Sequence, residues 1–119
     1  MKRVFIITLM VLLLAGVAQA KDWALKATWT PNTEPDMSYY TLYRTDGTRA
    51  VVSTCSHVTH PTATCNFTVT VADGTEPVLS FVVTATDTTG NTSVDSDPAT
   101  FRADSKSPTK PASLLIMLQ

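Results

Sequence analysis

Several kinds of chemistry are short of residues in this 119-residue chain. There are two cysteines and two histidines. No G-x-S-x-G nucleophile elbow occurs, and hydroxyl side chains without a positioned base and orienter make no triad. Asp95 and Asp97 share one side of an expected strand, but they flank Pro98, where charge serves to blunt an edge. Asp87-Thr88-Thr89-Gly90-Asn91 is too short for a 12-residue calcium loop. No Arg-Gly-Asp tripeptide is present, so integrin-type adhesion lacks support. Lysine and arginine total 9 against 10 acids, which gives no basic patch and argues against nucleic acid as a partner. Beyond residue 20 no stretch keeps an apolar period of 3.6 residues over three turns, so almost no helix is expected. These absences point away from an enzyme and from any cofactor.

The start of the chain has a different character. Lys2 and Arg3 precede an apolar run, residues 4–17, and Ala18-Gln19-Ala20 follows with small residues at the first and third positions. This is the order of a secretory signal peptide cut after Ala20. The run is short of the roughly 20 apolar residues that a spanning helix needs. An uncleaved N-terminal anchor is the rival reading. The expectation is a secreted or periplasmic product, residues 21–119, with no stable membrane span. Losing Lys2 and Arg3 leaves 9 − 2 = 7 cations against 10 acids, a net charge of −3.

What the chain has in quantity is threonine and valine, which suit a pleated, half-buried surface. Trp23, Leu25, Ala27 and Trp29 alternate with Ala24, Lys26 and Thr28, the period of a strand with one buried side. Further strands are expected over 38–45, with Tyr40 and Leu42 inward and Tyr39, Thr41 and Tyr43 outward, and over 48–53, with the turn Asp46-Gly47 between them. Residues 54–64 read as a loop. The alternation of Cys65, Phe67, Val69 and Val71 marks another strand. Residues 78–86 are the most apolar, with Leu79, Phe81, Val83 and Ala85 directed at the core, and a last strand over 93–102 is interrupted by Pro98. About 100 residues bury a single core, and short strands at this spacing predict an all-β antiparallel sandwich over 21–103. Residues 104–111 are polar and proline-bearing, a linker, and Leu114, Leu115, Ile116, Met117 and Leu118 follow as an unbroken apolar run. A bare, flat strand of that composition is an aggregation hazard and demands a partner.

The order of these signals carries a resemblance. Leu25-x-Ala27-x-Trp29-x-Pro31, then Glu34-Pro35-Asp36, then Tyr40-x-Leu42-Tyr43-Arg44 resembles the first half of a bacterial-style fibronectin type III domain. Phe81-x-Val83-x-Ala85-x-Asp87-x-x-Gly90-Asn91-x-Ser93 resembles its second half, so the likeness spans about residues 24–102. It implies an immunoglobulin-like Greek-key β-sandwich with strands B, C, C′, E, F and G and with Trp29 as the core tryptophan. Two departures stand out. Phe81 occupies the place of a corner tyrosine, whose hydroxyl bond is then lost. The family's first strand, A, has almost no chain left for it ahead of Trp23, while Pro111-Ala112-Ser113-Leu114-x-Ile116 resembles the opening of such a strand at the far end of the sequence.

The expected sites follow. Cys55 and Cys65 flank a loop and, in an exported chain, read as a disulfide. Cys55-x-His57-x-x-His60-x4-Cys65 offers two sulfurs and two imidazoles, but its spacing matches no common zinc pattern and oxidation removes the thiolates. In the expected topology the loops 31–37, 54–65 and 87–92 gather at one pole, making Asn32, Glu34, Asp36, His57, His60, Asp87 and Asn91 candidate binding residues, with Tyr39 and Tyr43 adding aromatic area. Asn66-Phe67-Thr68 and Asn91-Thr92-Ser93 fit the glycosylation pattern by the chance that threonine-rich chains provide. The function expected is a non-catalytic exported binding or assembly module, its partner a protein or a cell-surface polysaccharide. A carbohydrate-binding accessory module and a remnant of a longer multi-domain protein are the alternatives. The apolar run 114–118 is a candidate strand-addition segment. It either folds back on its own domain, since an extended eight-residue linker reaches roughly 26–29 Å, or pairs head-to-tail with another copy.

Overall fold

The computed structural model describes residues 19–119. The expected signal peptide and its apolar run lie outside them up to residue 18. Among the described residues seven strands form: β1 (Ala20–Thr28), β2 (Met37–Arg44), β3 (Ala50–Val51), β4 (Val58–Thr59), β5 (Thr64–Ala72), β6 (Val78–Asp87) and β7 (Ala99–Arg102). A single 3₁₀ turn, Ser53–Cys55, is the only helical element among the described residues. The fold is all-β, and every strand pair is antiparallel. No helix among the described residues is long and apolar enough to cross a membrane.

The strands make two sheets. One contains β1 and β5 alone, paired over nine positions from Ala20↔Ala72 to Thr28↔Thr64. The other runs β3-β2-β6-β7, with β4 joining β3 on the outer edge of β2. The sheets share one core. Phe67 and Val69 of β5 meet Leu42 of β2 and Leu79 and Phe81 of β6 in one buried cluster, and the rings of Phe67 and Phe81 stand edge to face at 5.1 Å. β5 keeps the period expected of it: Phe67, Val69 and Val71 are buried and Asn66, Thr68 and Thr70 exposed.

Elsewhere the structure corrects the sequence. Leu79 and Phe81 are core residues, but Val83 and Ala85 are only half-buried, while Val82, Thr84 and Thr86 on the opposite face are buried. Irregular chain covers that outer face. Thr41 Oγ1 donates to the Ser56 carbonyl at 2.9 Å, and Thr86 and Thr92 share a hydroxyl bond at 3.0 Å. The strand expected over 48–53 shrinks to Ala50–Val51, the 3₁₀ turn spans the expected strand–loop boundary, and the expected loop contains β4. Only Ala99–Arg102 of the expected last strand pairs regularly. Before it, Ser96 Oγ and Ser93 Oγ accept from the amides of Val83 (2.9 Å) and Ala85 (3.0 Å), so side chains stand in for a neighbouring strand's carbonyls.

The folded body extends to Ser105 rather than ending at 103. Ser105 is buried, its carbonyl accepts from Gly74 N–H at 3.0 Å, and its hydroxyl accepts from Trp23 Nε1–H at 3.2 Å. Trp23 packs against the central cluster and edge-on to Phe101 at 5.4 Å. Trp29, the tryptophan the resemblance places in the core, lies half-buried just past the other end of β1, edge-on to Tyr40 at 5.3 Å.

Candidate functional site

Among the described residues neither outer edge of the two-stranded sheet has a strand partner, and the two edges differ in how they are covered. On the β5 side the Cys55–Cys65 disulfide expected from the sequence is formed. It ties the 3₁₀ turn to the start of β5, and Thr54 Oγ1 donates to the Asn66 carbonyl. A shallow depression of about 740 Å³ lies here, with Arg44, Ser53, Thr54, Asn66, Thr68 and Thr70 in its lining. Its rim is rich in side-chain hydroxyls and amides, and segment 50–54 already occupies part of that edge.

The β1 side is open. In an antiparallel pair the backbone groups of alternate residues face away from the partner, so about half of the amides and carbonyls of β1 face an edge with no strand beside it. Under that edge lies a cleft of about 590 Å³ between the sheets. Leu25 and Ala27 of β1 and Trp29 just past its end line one wall, Phe101 and Val83 the other, and Phe67 and Phe81 the floor. Leu25, Ala27 and Trp29 alternate inward as expected, yet none is fully buried, because nothing spans from β1 to the segment before β7. The Trp29 indole Nε1–H is buried with no acceptor among the described residues, an uncommon state for a buried donor.

The apolar run 114–118 lies outside both sheets. Leu114, Leu115, Ile116, Met117 and Leu118 are 74 to 101 % exposed, so the run does not cover the cleft of its own domain. The absence of cover, rather than any motif, defines this site, and the half-buried state of a strand's inward residues cannot be read from their identity.

The structure brings the three expected loops to one end of the molecule. Thr88 N–H donates to the Asp36 carbonyl, His60 N–H to the Ser38 carbonyl and Trp29 N–H to the Ala63 carbonyl, all at 2.9–3.0 Å. Asn32 N–H donates to the Tyr40 hydroxyl at 2.8 Å, which hydrogen-bonds His60 Nδ1 at 2.9 Å. His57 stacks on Tyr39 at 4.0 Å. Neither imidazole has a carboxylate partner among the described residues. The sulfurs belong to a disulfide and are not thiolates, and among the described residues no three His, Cys, Asp or Glu side chains cluster to hold a metal. Asp87 closes its own turn, accepting from Asn91 Nδ2 at 2.9 Å, Asn91 N–H at 2.8 Å and Thr89 N–H at 3.0 Å. The Asn91 side chain first, then its backbone amide, lowers the Asp87 pKa from the ordinary 3.8 to about 2. Glu34 and Asp36 are exposed.

The outward tyrosines are less available than expected. His57 covers one face of Tyr39, and the Arg49 guanidinium lies 4.0 Å from the centre of the Tyr43 ring. Arg49 also grips Asp95 with both terminal nitrogens, so Asp95 is an ion-pair partner. No protein family, curated protein or solved structure matches this chain.

Proposed function

We propose that this chain is a non-catalytic, exported binding or assembly module that accepts an extended apolar strand along the free edge of β1. The observation that carries the reading is the conjunction at that edge: unpaired backbone, an apolar cleft beneath it, and the partnerless indole of Trp29. An added strand supplies backbone hydrogen bonds to the edge and places alternate side chains in the cleft, and this is the mode of β-strand addition.

The strand pairings support a fibronectin type III-like Greek-key sandwich. In the lettering that the sequence resemblance implies, β1–β5 is B–E and β3-β2-β6-β7 is C′-C-F-G. The vacant neighbour of B is then the place of A. A disulfide supports export, since such bonds persist in oxidising compartments. The covered ring faces of Tyr39 and Tyr43 favour strand acceptance over a sugar platform on that face.

The test is amide chemical-shift mapping of the processed chain, residues 21–119, titrated with a short peptide of alternating valine and threonine. Saturable shifts at residues 24–29 and 96–101 are expected. Saturable shifts confined to loops 31–37, 54–65 and 87–92 would move the contact surface to the loop pole, and the absence of any would refute strand acceptance.

A further inference from the structure

We infer that the strand accepted at β1 is the segment 112–118 of a second copy of this chain, inserted antiparallel to β1, so that molecules join head-to-tail. The inference rests on the strand-acceptor reading above and adds the identity and polarity of the occupant.

Polarity comes first. Ser105 fixes the departure of the tail beside Trp23, at the end of the molecule where β1 begins. A segment that pairs antiparallel with β1 must start at the opposite end, beside Trp29. A tail folding directly onto its own edge would run parallel to β1, in a sheet whose every described pairing is antiparallel. To reverse, it must first travel about 20 Å along its own cleft, from the level of Trp23 to that of Trp29, and then turn back. The linker is long enough for that path, yet residues 114–118 stand clear of the domain. A second copy stacked on the Trp29 end delivers its tail with the required direction and no reversal.

Charge matches the same stacking. The receiving end carries Glu34, Asp36 and Asp87, and segments 29–36, 56–64 and 87–92 contain no lysine or arginine. The linker carries Lys106 and Lys110 against the single Asp104. In a head-to-tail contact the basic linker of one copy crosses the acidic pole of the next.

Side-chain alternation fixes a register. With Leu114 opposite Trp29, Ile116 falls opposite Ala27 and Leu118 opposite Leu25, which places three apolar side chains over the three apolar cleft-lining residues of segment 25–29. Leu115 and Met117 then face outward beside Thr28 and Lys26. Ala27, the smallest of the three, leaves room for the β-branched Ile116. A tail that fills the next molecule's edge leaves its own edge for another tail, so the contact is heterologous and generates open chains of molecules.

The experiment is light scattering of the processed chain over a concentration series, beside two variants. Ile116→Asp puts a charge into the inserted segment, on a side chain exposed in the monomer. Ala27→Phe fills the cleft of the acceptor. A concentration-dependent ladder is expected for the native chain, monomers for each variant alone, and a capped 1:1 dimer for their mixture. Should Ala27→Phe fail to fold, a synthetic peptide of residues 111–119 replaces it, and shortening of the native ladder by that peptide is the supporting result. A native chain that is monomeric at every concentration overturns the inference. In that case a melting temperature lowered by Ile116→Asp means the tail fills its own cleft and strand acceptance stands. An unchanged melting temperature, with no response to the peptide, removes both.

Discussion

Removing the disulfide has a cost that the structure lets one work out. The double substitution Cys55→Ala with Cys65→Ala frees a loop whose ends are 10 residues apart. Loop-closure entropy for that length is worth about 2.7 kcal/mol at 25 °C. Cys55 is fully buried in the core cluster, and losing its sulfur leaves a small void that brings the total to about 3 kcal/mol. For a domain of this size such a loss lowers the melting temperature by about 10–20 °C. The assay is urea and thermal unfolding of oxidised and substituted protein, followed by circular dichroism. Reduction of the native protein should reproduce most of the shift. A change below about 1 kcal/mol would refute the reasoning, because the unfolded chain would then have to be held compact around this loop without the covalent bond.

Two further outcomes follow from local geometry. Ser96→Ala removes the acceptor of the Val83 amide and should destabilise the fold by about 1 kcal/mol; amide exchange should quicken at Val83 while Ala85, held by Ser93, is unaffected. The Asp87 turn depends on pH in a definite direction. A depressed carboxylate pKa contributes stability that is complete above the unfolded value of about 3.9 and is lost as the pH falls through the folded value, so the amide shifts of Thr89 and Asn91 should hold from pH 7 to pH 4 and titrate with a midpoint at about 2. A midpoint at the ordinary 3.8 would mean that the turn does not hold the carboxylate.

The sequence revealed what depends on local period and little of what depends on cover. β5 was legible because a two-residue alternation of Phe67, Val69 and Val71 against Asn66, Thr68 and Thr70 has one interpretation. The upper half of β6 was not. Val83 and Ala85 carry the same inward signal as Leu79 and Phe81, but whether a strand lies over them is decided far away in the chain. Ser93 and Ser96 explain the shortened β7, since a hydroxyl can satisfy an edge amide as a carbonyl does, and serine in a strand pattern does not announce that use. The disulfide was legible from cysteine spacing and context. Of the cleft only one wall was legible, the alternating strand that carries Leu25 and Ala27 and leads to Trp29; that Val83 and Phe101 stand opposite without cover between them is set by the packing of the two sheets. The lack of an acceptor for the Trp29 indole among the described residues is a property of the packed fold that no local pattern announces.

Among the described residues no strand pairs with the outer edge of β1, and the proposed function has that edge receive one. Residue-resolved hydrogen exchange of amides 22–28 in the processed chain, at low and at high protein concentration, tests that proposal. At low concentration alternate amides of β1, those turned from β5, should exchange as fast as exposed chain, and they should gain protection as concentration rises. Alternate amides already protected in dilute solution, or unprotected at every concentration, would rule out an open edge that receives a strand.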